Sequence, residues 1–506
     1  MILEIQTTPI DSRAVSWRPA ADRGVTIVSG LRPAFRADRR GAENLERLFG
    51  DNALCVTSGQ QPGLFTGPLF TLYKALSAVT LARECEAALG RPVVPVFWVA
   101  GDDHDFAEAN HLAVLTGGNE VERIALPPRD PDGPSTPLYR ERLGAAVASL
   151  MAALREHTPD TNFRGATLDW LARHYRPDSD MATAFGDALA DLLGESGLVV
   201  FFPTHAAAKA QAAPWIIKAL EHAADLDTAL LARAAELESD GPVQVSIQPG
   251  NTLVMLDGEQ GRDRLVIDPS GFRARRSGET FTLEQLREIA SSTPERLSAN
   301  VLLRPVVEAA LLPTVGYVGG PGELAYYPQT APVYDILGVT PQGVVPRWSA
   351  RMIEARTRKT LDRYELRPED LGTPDGQLES RLVGDALPDR AAQALQRMRA
   401  VLAEEFPPLV EASKQIDVTL EKPVEKARNQ MDSTIDHAEK RIVARLKEHH
   451  AILLRQISAA RNATFPEHKP QERVFNIVQY LAKYGPELLL DLERECAEWA
   501  KSLVST

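Results

Sequence analysis

Hydrophobic and polar residues over the first hundred positions follow a pattern that predicts one strand–helix–strand unit. Residues 53–57 form a short apolar run typical of a strand, and residues 58–68 are a loop rich in glycine and proline. Apolar residues then recur near a 3.6-residue period over 69–89, which predicts a helix that Gly90 ends. Residues 92–100 are almost all apolar, as in a strand covered on both faces. The unit therefore predicts an α/β fold with a doubly wound parallel sheet.

Two insertions are expected within a core domain that spans residues 1–386. The segment at about 120–195 is rich in alanine, leucine and charge, which predicts helices, and the segment at about 240–290 predicts a small β-rich insertion. The further strands expected are 198–202, 243–247, 252–256, 311–318 and 343–345.

The C-terminal part of the chain carries a long apolar stripe. From Leu395 to Leu446, apolar or small residues recur at steps of three or four, which predicts a coiled-coil helical hairpin over 387–465. Because Pro407-Pro408 should interrupt a helix, one unbroken rod is not expected, and the turn is placed near Asp417. Residues 466–506 are expected to pack back on the core. A stripe of this length predicts self-association into a homodimer.

Composition and charge narrow the classes of partner. The 506 residues carry a net charge of −13, with 44% hydrophobic and 25% charged residues. An acidic surface repels phosphate backbones and anionic headgroups, so neither nucleic acid nor membrane is expected as the main partner. Three cysteines make no disulfide framework or zinc site, and the chain begins without a secretory pattern. These features predict a cytoplasmic protein.

The glycine-rich loop is the first candidate site. Gly63 and Gly67 let the backbone approach a ligand closely, and with Thr66 and the N-terminus of the next helix they could hold an anion. Gln60 and Gln61 add polar groups, whereas Walker and GxGxxG signatures do not occur. The alternative is a tight turn that only packs helix against sheet.

The second candidate site follows the strand that ends at residue 100. Ligands of open α/β sheets bind beyond the carboxyl ends of strands, so Asp102, Asp103 and His104 are the catalytic candidates, to hold or deprotonate an amine. The surrounding carboxylates, including Asp105, should favour the imidazolium form of His104. If the chain turns helical here, His104, Glu108 and His111 share one face. A helix cap formed by the aspartates and a divalent-metal site are the alternatives, although no metal is predicted.

Two later segments also run from a strand into polar residues. Residues 317–327 pass through glycines into a helix that carries Glu323 and Tyr326, and residues 344–351 place Arg347 where it could meet a carboxylate or phosphate. We expect Thr66, His104 and Glu323 to converge on one small polar ligand. The substrate-binding candidates are Gln60, Gln61, Gly63, Thr66, Gly67, Asp105, Asn110, His111, Gly320, Glu323, Tyr326, Arg347 and Ser349.

These motifs together resemble the cysteine-adding enzymes of bacillithiol biosynthesis, the BshC family. The resemblance rests on residues 57–68, 97–105, 300–305, 317–327, 344–347 and 469–473, and it covers nearly the whole chain. It implies a Rossmann-like core with connecting insertions and a C-terminal coiled coil used in dimer formation. It also implies a ligase that adds L-cysteine to glucosaminyl-malate, the last step of bacillithiol synthesis.

The loop is more distantly similar to the class I synthetase signature that grips ATP phosphates with two histidines. Phe65 and Pro68 occupy the histidine positions here, and residues 346–350 lack the lysines of the second signature. Amide formation still calls for an activated carboxyl, so ATP with Mg²⁺ is the expected cofactor, bound in the core crevice or outside it near the hairpin. Two other functions stay open: an adenylating enzyme or nucleotidyltransferase for another small acid, and a noncatalytic coiled-coil scaffold.

Overall fold

The computed structural model describes residues 3–10, 17–20, 23–50, 52–239, 241–384 and 389–504. The chain forms two compact units. The core unit comprises Ile5–Met352 and Gln471–Thr506, and the helical unit comprises Ile353–Pro470 with Met1–Glu4. The helical unit thus starts before the composition change at residue 387.

The strands follow one another as β1 (Leu3–Thr7), β2 (Phe35–Arg36), β3 (Leu54–Gln60), β4 (Val93–Val99), β5 (His111–Leu115), β6 (Val121–Ala125), β7 (Val199–Phe201), β8 (Asn251–Gly258), β9 (Gly261–Asp268), β10 (Gly271–Ala274), β11 (Thr280–Phe281), β12 (Leu297–Ala299), β13 (Thr314–Gly319), β14 (Gly343–Pro346) and β15 (Ala350–Glu354). The α-helices are α1 (Arg40–Leu48), α2 (Leu69–Leu89), α3 (Phe106–Ala109), α4 (Ala146–His157), α5 (Arg164–His174), α6 (Met181–Leu193), α7 (Ala206–Glu221), α8 (Ala223–Glu238), α9 (Leu283–Ser292), α10 (Arg304–Leu311), α11 (Pro321–Tyr326), α12 (Ala331–Leu337), α13 (Ala355–Arg363), α14 (Gln377–Gly384), α15 (Asp389–Ile416), α16 (Glu421–His449), α17 (Ala451–Thr464), α18 (Ile477–Tyr484) and α19 (Glu487–Val504).

A six-stranded sheet is the centre of the core unit. Its order is β14-β13-β3-β4-β7-β2, and all neighbours are parallel except β2 and β7. The strand β4 is buried along its whole length, which explains its unbroken apolar sequence. The sequence-based prediction of a parallel α/β core is confirmed.

The helix α2 spans the predicted residues and ends where Gly90 adopts a left-handed φ of 65°. Most of its residues through Ala82 are buried, because it packs on β3 and β4 on one side and on α19 on the other. Thr80 Oγ1 and Cys496 Sγ lie 3.2 Å apart at this helix contact.

The second sheet is antiparallel, in the order β11-β10-β9-β8-β12. The strand expected at 243–247 was wrong, because the structure assigns no strand there. The backbone N–H of Val245 donates to Gln329 Oε1 (3.0 Å), and its carbonyl accepts from Gln329 Nε2 (2.8 Å). A side-chain amide therefore takes the hydrogen bonds that a neighbouring strand would have made.

The helical unit contains the hairpin of α15 and α16. The turn lies where predicted, with Asp417 accepting from Thr419 N at 2.8 Å before the 3₁₀ helix Val418–Leu420. The interruption expected at Pro407-Pro408 was wrong, because α15 continues through both prolines. Phe406 is buried beside them, and Arg399 pairs with Asp436 across the hairpin at 2.7 Å, so contacts with α16 help to keep the helix continuous.

Within the described residues, no helix combines the length and the apolar character needed to cross a bilayer.

Candidate active site

A polar crevice of about 270 Å³ lies at the carboxyl edge of the central sheet, beyond β3, β4, β13 and β14. Seven of the sequence-predicted residues line it: Gln60, Gln61, Asp103, Gly320, Glu323, Tyr326 and Arg347. Glu108, which the sequence placed with His104 in the second candidate site, also lines the crevice. Residues that the sequence had not singled out complete much of the wall: Phe70, Lys74, Trp98, Arg304, Tyr317 and Arg473.

Lys74 and Glu323 form a buried ion pair in the crevice wall. Lys74 Nζ also donates to the Gly59 carbonyl (2.8 Å) and Gln60 Oε1 (2.9 Å). Glu323 accepts from the Tyr317 hydroxyl and from Gly320 N (2.8 Å). Burial alone would raise the pKa of Glu323, but Lys74 and these donors hold it below its ordinary value of 4.5. Glu323 is therefore a fixed, ionised wall group.

A second ion pair joins Arg304 of the crevice wall to the buried Glu308. Arg304 Nη1 donates to Glu308 Oε2 at 2.6 Å, and its guanidinium lies over the Tyr317 ring at 5.0 Å. Glu308 is fully buried and also accepts from Thr57 Oγ1. Burial raises the pKa of Glu308 despite the opposing effect of Arg304. The pair fixes Arg304 at the edge of the crevice.

Arg347 is held by Glu472 in a bidentate ion pair. The two nitrogen–oxygen distances are 2.8 and 2.5 Å, and both side chains are buried. Ser349 Oγ donates to Glu472 Oε2 at 2.8 Å and does not line the crevice. Ser349 therefore helps to hold Glu472, which in turn holds Arg347 in the crevice wall.

Glu108 and Arg473 lie at the exposed side of the crevice. Desolvation and the nearby Asp105 raise the pKa of Glu108, although a hydrogen bond from Gln61 opposes this. The Arg473 guanidinium also acts to lower the pKa of Glu108, but the two side chains do not form an ion pair, and Arg473 forms none with any other described carboxylate. Arg473 is thus available to an anionic ligand.

Asp102 and Asp103 differ in their environments. Asp103 lines both the crevice and an adjoining cavity of about 210 Å³, whereas Asp102 lines only the adjoining cavity and pairs with Lys209 at 2.6 Å. His104 lines neither, and its Nδ1 is buried without a hydrogen-bond partner. Burial and the Arg262 guanidinium lower the pKa of His104 despite the aspartates. The expectation of an imidazolium was wrong, because desolvation outweighs the carboxylates.

Asp105, Asn110 and His111 lie outside the crevice lining. Asp105 caps α3 by accepting from Glu108 N at 3.1 Å. Since α3 is a single turn and His111 begins β5, the shared helical face expected for His104 and His111 was wrong. Asn110 Nδ2 donates to the Leu126 carbonyl at 3.3 Å, which is a structural contact.

The glycine-rich loop is a packed turn. Gly67 has a φ of 72°, and a Cβ on Gly63 would lie 2.8 Å from the Gly67 Cα. Thr66 N donates to the Tyr175 hydroxyl (2.7 Å). Asn476 Nδ2 donates to the carbonyls of Phe65 (2.8 Å) and Gly67 (2.7 Å). Gly63, Thr66 and Gly67 therefore have their contacts within the protein, and the structure does not place them around a ligand.

Of the three residues expected to converge, only Glu323 lines the crevice; Thr66 and His104 do not. The site instead depends on Lys74, which the sequence analysis missed. Its signal was that it is the single charged residue between Leu69 and Ala82, in the otherwise mostly apolar first part of α2. Arg304 and Arg473 lie in two of the segments that carry the family resemblance, which was their only signal. Within the described residues, no cluster of three or more His, Cys, Asp or Glu side chains could hold a metal ion.

Known proteins match almost the whole chain. Residues 24–348 match the family model described as "Bacillithiol biosynthesis BshC, N-terminal Rossmann-like domain", and residues 350–497 match the model of its C-terminal coiled-coil domain. Two similar relatives, both named "Putative cysteine ligase BshC", come from Koribacter versatilis (32% identical over 96% of this chain and 90% of the relative) and Salinibacter ruber (33% over 95% and 87%). A relative of the same name from Geobacillus thermodenitrificans is 29% identical over 89% of this chain and 84% of its own length. The chain therefore belongs to the BshC family of bacillithiol biosynthesis.

Proposed function

We propose that the protein is a cysteine ligase that joins the carboxyl of L-cysteine to the amine of glucosaminyl-malate, the last step of bacillithiol synthesis. The names of its relatives support the ligase class. The observation that carries the proposal is the crevice at the sheet edge, which combines fixed cations and acids with a free guanidinium at its mouth.

The crevice residues suit a sugar joined to a dicarboxylate. Arg473, which forms no ion pair among the described residues, would bind a malate carboxylate, while Gln60 and Gln61 would hydrogen bond with sugar hydroxyls. Asp103 would orient the attacking amine where the two cavities meet. The nitrogen bonds to the cysteine carbonyl carbon, the activating group leaves that carbon, and the nitrogen loses one proton. Glu108, whose pKa is raised, would accept that proton.

ATP with Mg²⁺ is proposed as the source of activation, but the glycine-rich loop does not fit a triphosphate. Phe65 and Pro68 replace the phosphate-binding histidines, and Phe65 is buried. The N–H groups that could bind phosphate are used within the protein: Leu69 N donates to Phe475 O (2.8 Å) and Thr71 N to Pro68 O (2.9 Å). No step of the reaction is therefore assigned to this loop, and the proposed nucleotide site lies outside the crevice.

The test is product formation by the purified chain. The protein is incubated with L-cysteine, glucosaminyl-malate, ATP and MgCl₂, and mass spectrometry follows bacillithiol together with AMP and ADP. We expect bacillithiol from the wild type and at least a hundredfold loss in Asp103→Ala with an intact fold. Glu120→Gln, an exposed change outside the linings of both cavities, is the control. Absence of product, or full activity in Asp103→Ala, would contradict the proposal.

We also propose a homodimer formed through α15 and α16, in a cytoplasmic protein. The hairpin exposes apolar side chains, with Met398 53%, Leu409 51% and Met431 51% exposed. Apolar area of this kind favours a partner helix surface. The three cysteines are free and buried, which agrees with a reducing compartment.

A further inference from the structure

The cavity that adjoins the crevice, here the inner chamber, has a volume of about 210 Å³. It lies between the end of β4, the helix α7 and the segment from β12 into α10. We infer that the inner chamber is the binding site for the amino-acid substrate, a small α-amino acid, while the crevice takes the acceptor. This inference rests on the proposed function, because it divides the two substrates between the two cavities.

The inner chamber and the crevice share part of their walls. Trp98, Ala100, Asp103, Val301 and Arg304 line both cavities. A ligand in one cavity can therefore lie against a ligand in the other at this junction. Two substrates that must form one bond need such a junction, with the reacting atoms within about 3–3.5 Å of each other.

The charges of the inner chamber match a zwitterion. Lys209 is buried and its charge is balanced by Asp102 at 2.6 Å. Arg262 donates to Ser298 Oγ (3.1 Å) and the Ala299 carbonyl (2.7 Å), but no described carboxylate forms an ion pair with it. Asp103 likewise has no described cation as ion-pair partner and accepts only from Asp105 N (3.0 Å). Arg262 would pair with the carboxylate of an α-amino acid and Asp103 with its ammonium. Because Asp103 lines both cavities, the same carboxylate would also contact the acceptor amine at the junction.

The remaining walls distinguish the two cavities. The inner chamber is closed by apolar side chains, namely Ala208, Ala212, Ala213, Ile216, Leu297, Val307 and Leu311. Such a wall suits a small side chain with a thiol, which behaves as a weakly polar hydrophobe. The crevice is walled by amides and charges, which suit hydroxyl and carboxylate groups instead.

The test is binding of L-cysteine, measured by titration calorimetry with and without glucosaminyl-malate. Ala212→Phe fills the inner chamber, and Arg262→Met removes its unbalanced cation. Ala210→Phe adds the same ring at an exposed position of α7 and is the matched control. Arg473→Ala changes only the crevice. Circular dichroism checks the fold of each variant, and Ala212→Leu replaces Ala212→Phe should the phenylalanine prevent folding.

We expect at least tenfold weaker L-cysteine binding in Ala212→Phe and Arg262→Met, and a change below twofold in Ala210→Phe and Arg473→Ala. Arg473→Ala should instead weaken binding of glucosaminyl-malate. Unchanged cysteine binding in both chamber variants, or no cysteine binding by the wild type under either condition, would overturn the inference. Because binding needs no turnover, cysteine binding that depends on the chamber without bacillithiol formation would overturn only the proposed function. Bacillithiol formation with an unchanged KM for cysteine in the chamber variants would overturn only the inference.

Discussion

The ion pair between Arg347 and Glu472 gives a sharp test of how the C-terminal segment supports the crevice. Arg347 is 3% exposed and Glu472 8% exposed, and the pair is bidentate. Glu472→Gln keeps the shape of the side chain but leaves a buried guanidinium without a counter-charge. Removing one partner of a buried pair costs about 3–5 kcal/mol of unfolding free energy. With a urea m-value of about 3 kcal/mol/M, the unfolding midpoint should fall by about 1–1.7 M.

The assay combines urea unfolding with hydrogen exchange. Exchange should rise in the 3₁₀ helix Gln471–Arg473, which contains Glu472, and in β14, which Arg347 directly follows. Glu498→Gln, which removes an exposed partner of Lys501, is the control and should leave the midpoint unchanged.

The double variant Arg347→Met/Glu472→Met separates stability from function. Replacing both partners should recover about 2 kcal/mol or more relative to the sum of the single changes, since no buried charge is left unpaired. Activity should stay low, because Arg347 lines the crevice. A loss of unfolding free energy below about 1 kcal/mol for Glu472→Gln, or strictly additive single effects, would refute the reasoning.

Burial raises the pKa of each of the three cysteines to about 12, so the native protein should not react with a thiol reagent at pH 8. In protein unfolded in urea, all three thiols should react. In an NMR titration His104 should show a pKa below 6.5, and Arg262→Gln should raise it by removing a cation; a value above 6.5 in the wild type would contradict this. Because the pKa of Glu323 in the folded protein lies below 4.5, the stability from its ion pair should be present above pH 4.5 and be lost as the pH falls through the folded-state value. Glu323→Gln should therefore weaken the dependence of unfolding free energy on pH below 4.5. Met431→Glu should shift the protein toward monomer in sedimentation velocity, and an unchanged profile would count against the dimer.

Local sequence patterns predicted a helix or a turn correctly where the residues that determine it lie within one short segment. The bounds of α2 and the turn at Asp417 follow from apolar periodicity, from Gly90 and from a capping aspartate, each of which acts within a few residues. The segment at 243–247 shows the limit of local patterns. It alternates like a strand, but the backbone of Val245 hydrogen bonds with the side chain of Gln329, which is distant in sequence.

The candidate site was predicted at the correct edge of the sheet but with only part of its residues. Glu323 and Arg347 follow strands of the sheet, so their position could be predicted from strand order. Gly63 and Thr66 are residue types found in anion sites. In the structure, however, Thr66 N donates to the Tyr175 hydroxyl, and Asn476 donates to the carbonyl of the neighbouring Gly67. No local pattern contains those partners.

The amino-acid sequence by itself determined the α/β class, the strand–helix–strand unit and the hairpin, because hydrophobic periodicity and turn residues act over short stretches of chain. Tertiary structure alone decided which polar side chains are free for a ligand. Lys74 meets Glu323, and Arg347 meets Glu472, across separations of more than a hundred residues. The charge and pKa of a buried group depend on these partners and on desolvation, and both arise only when the chain has folded.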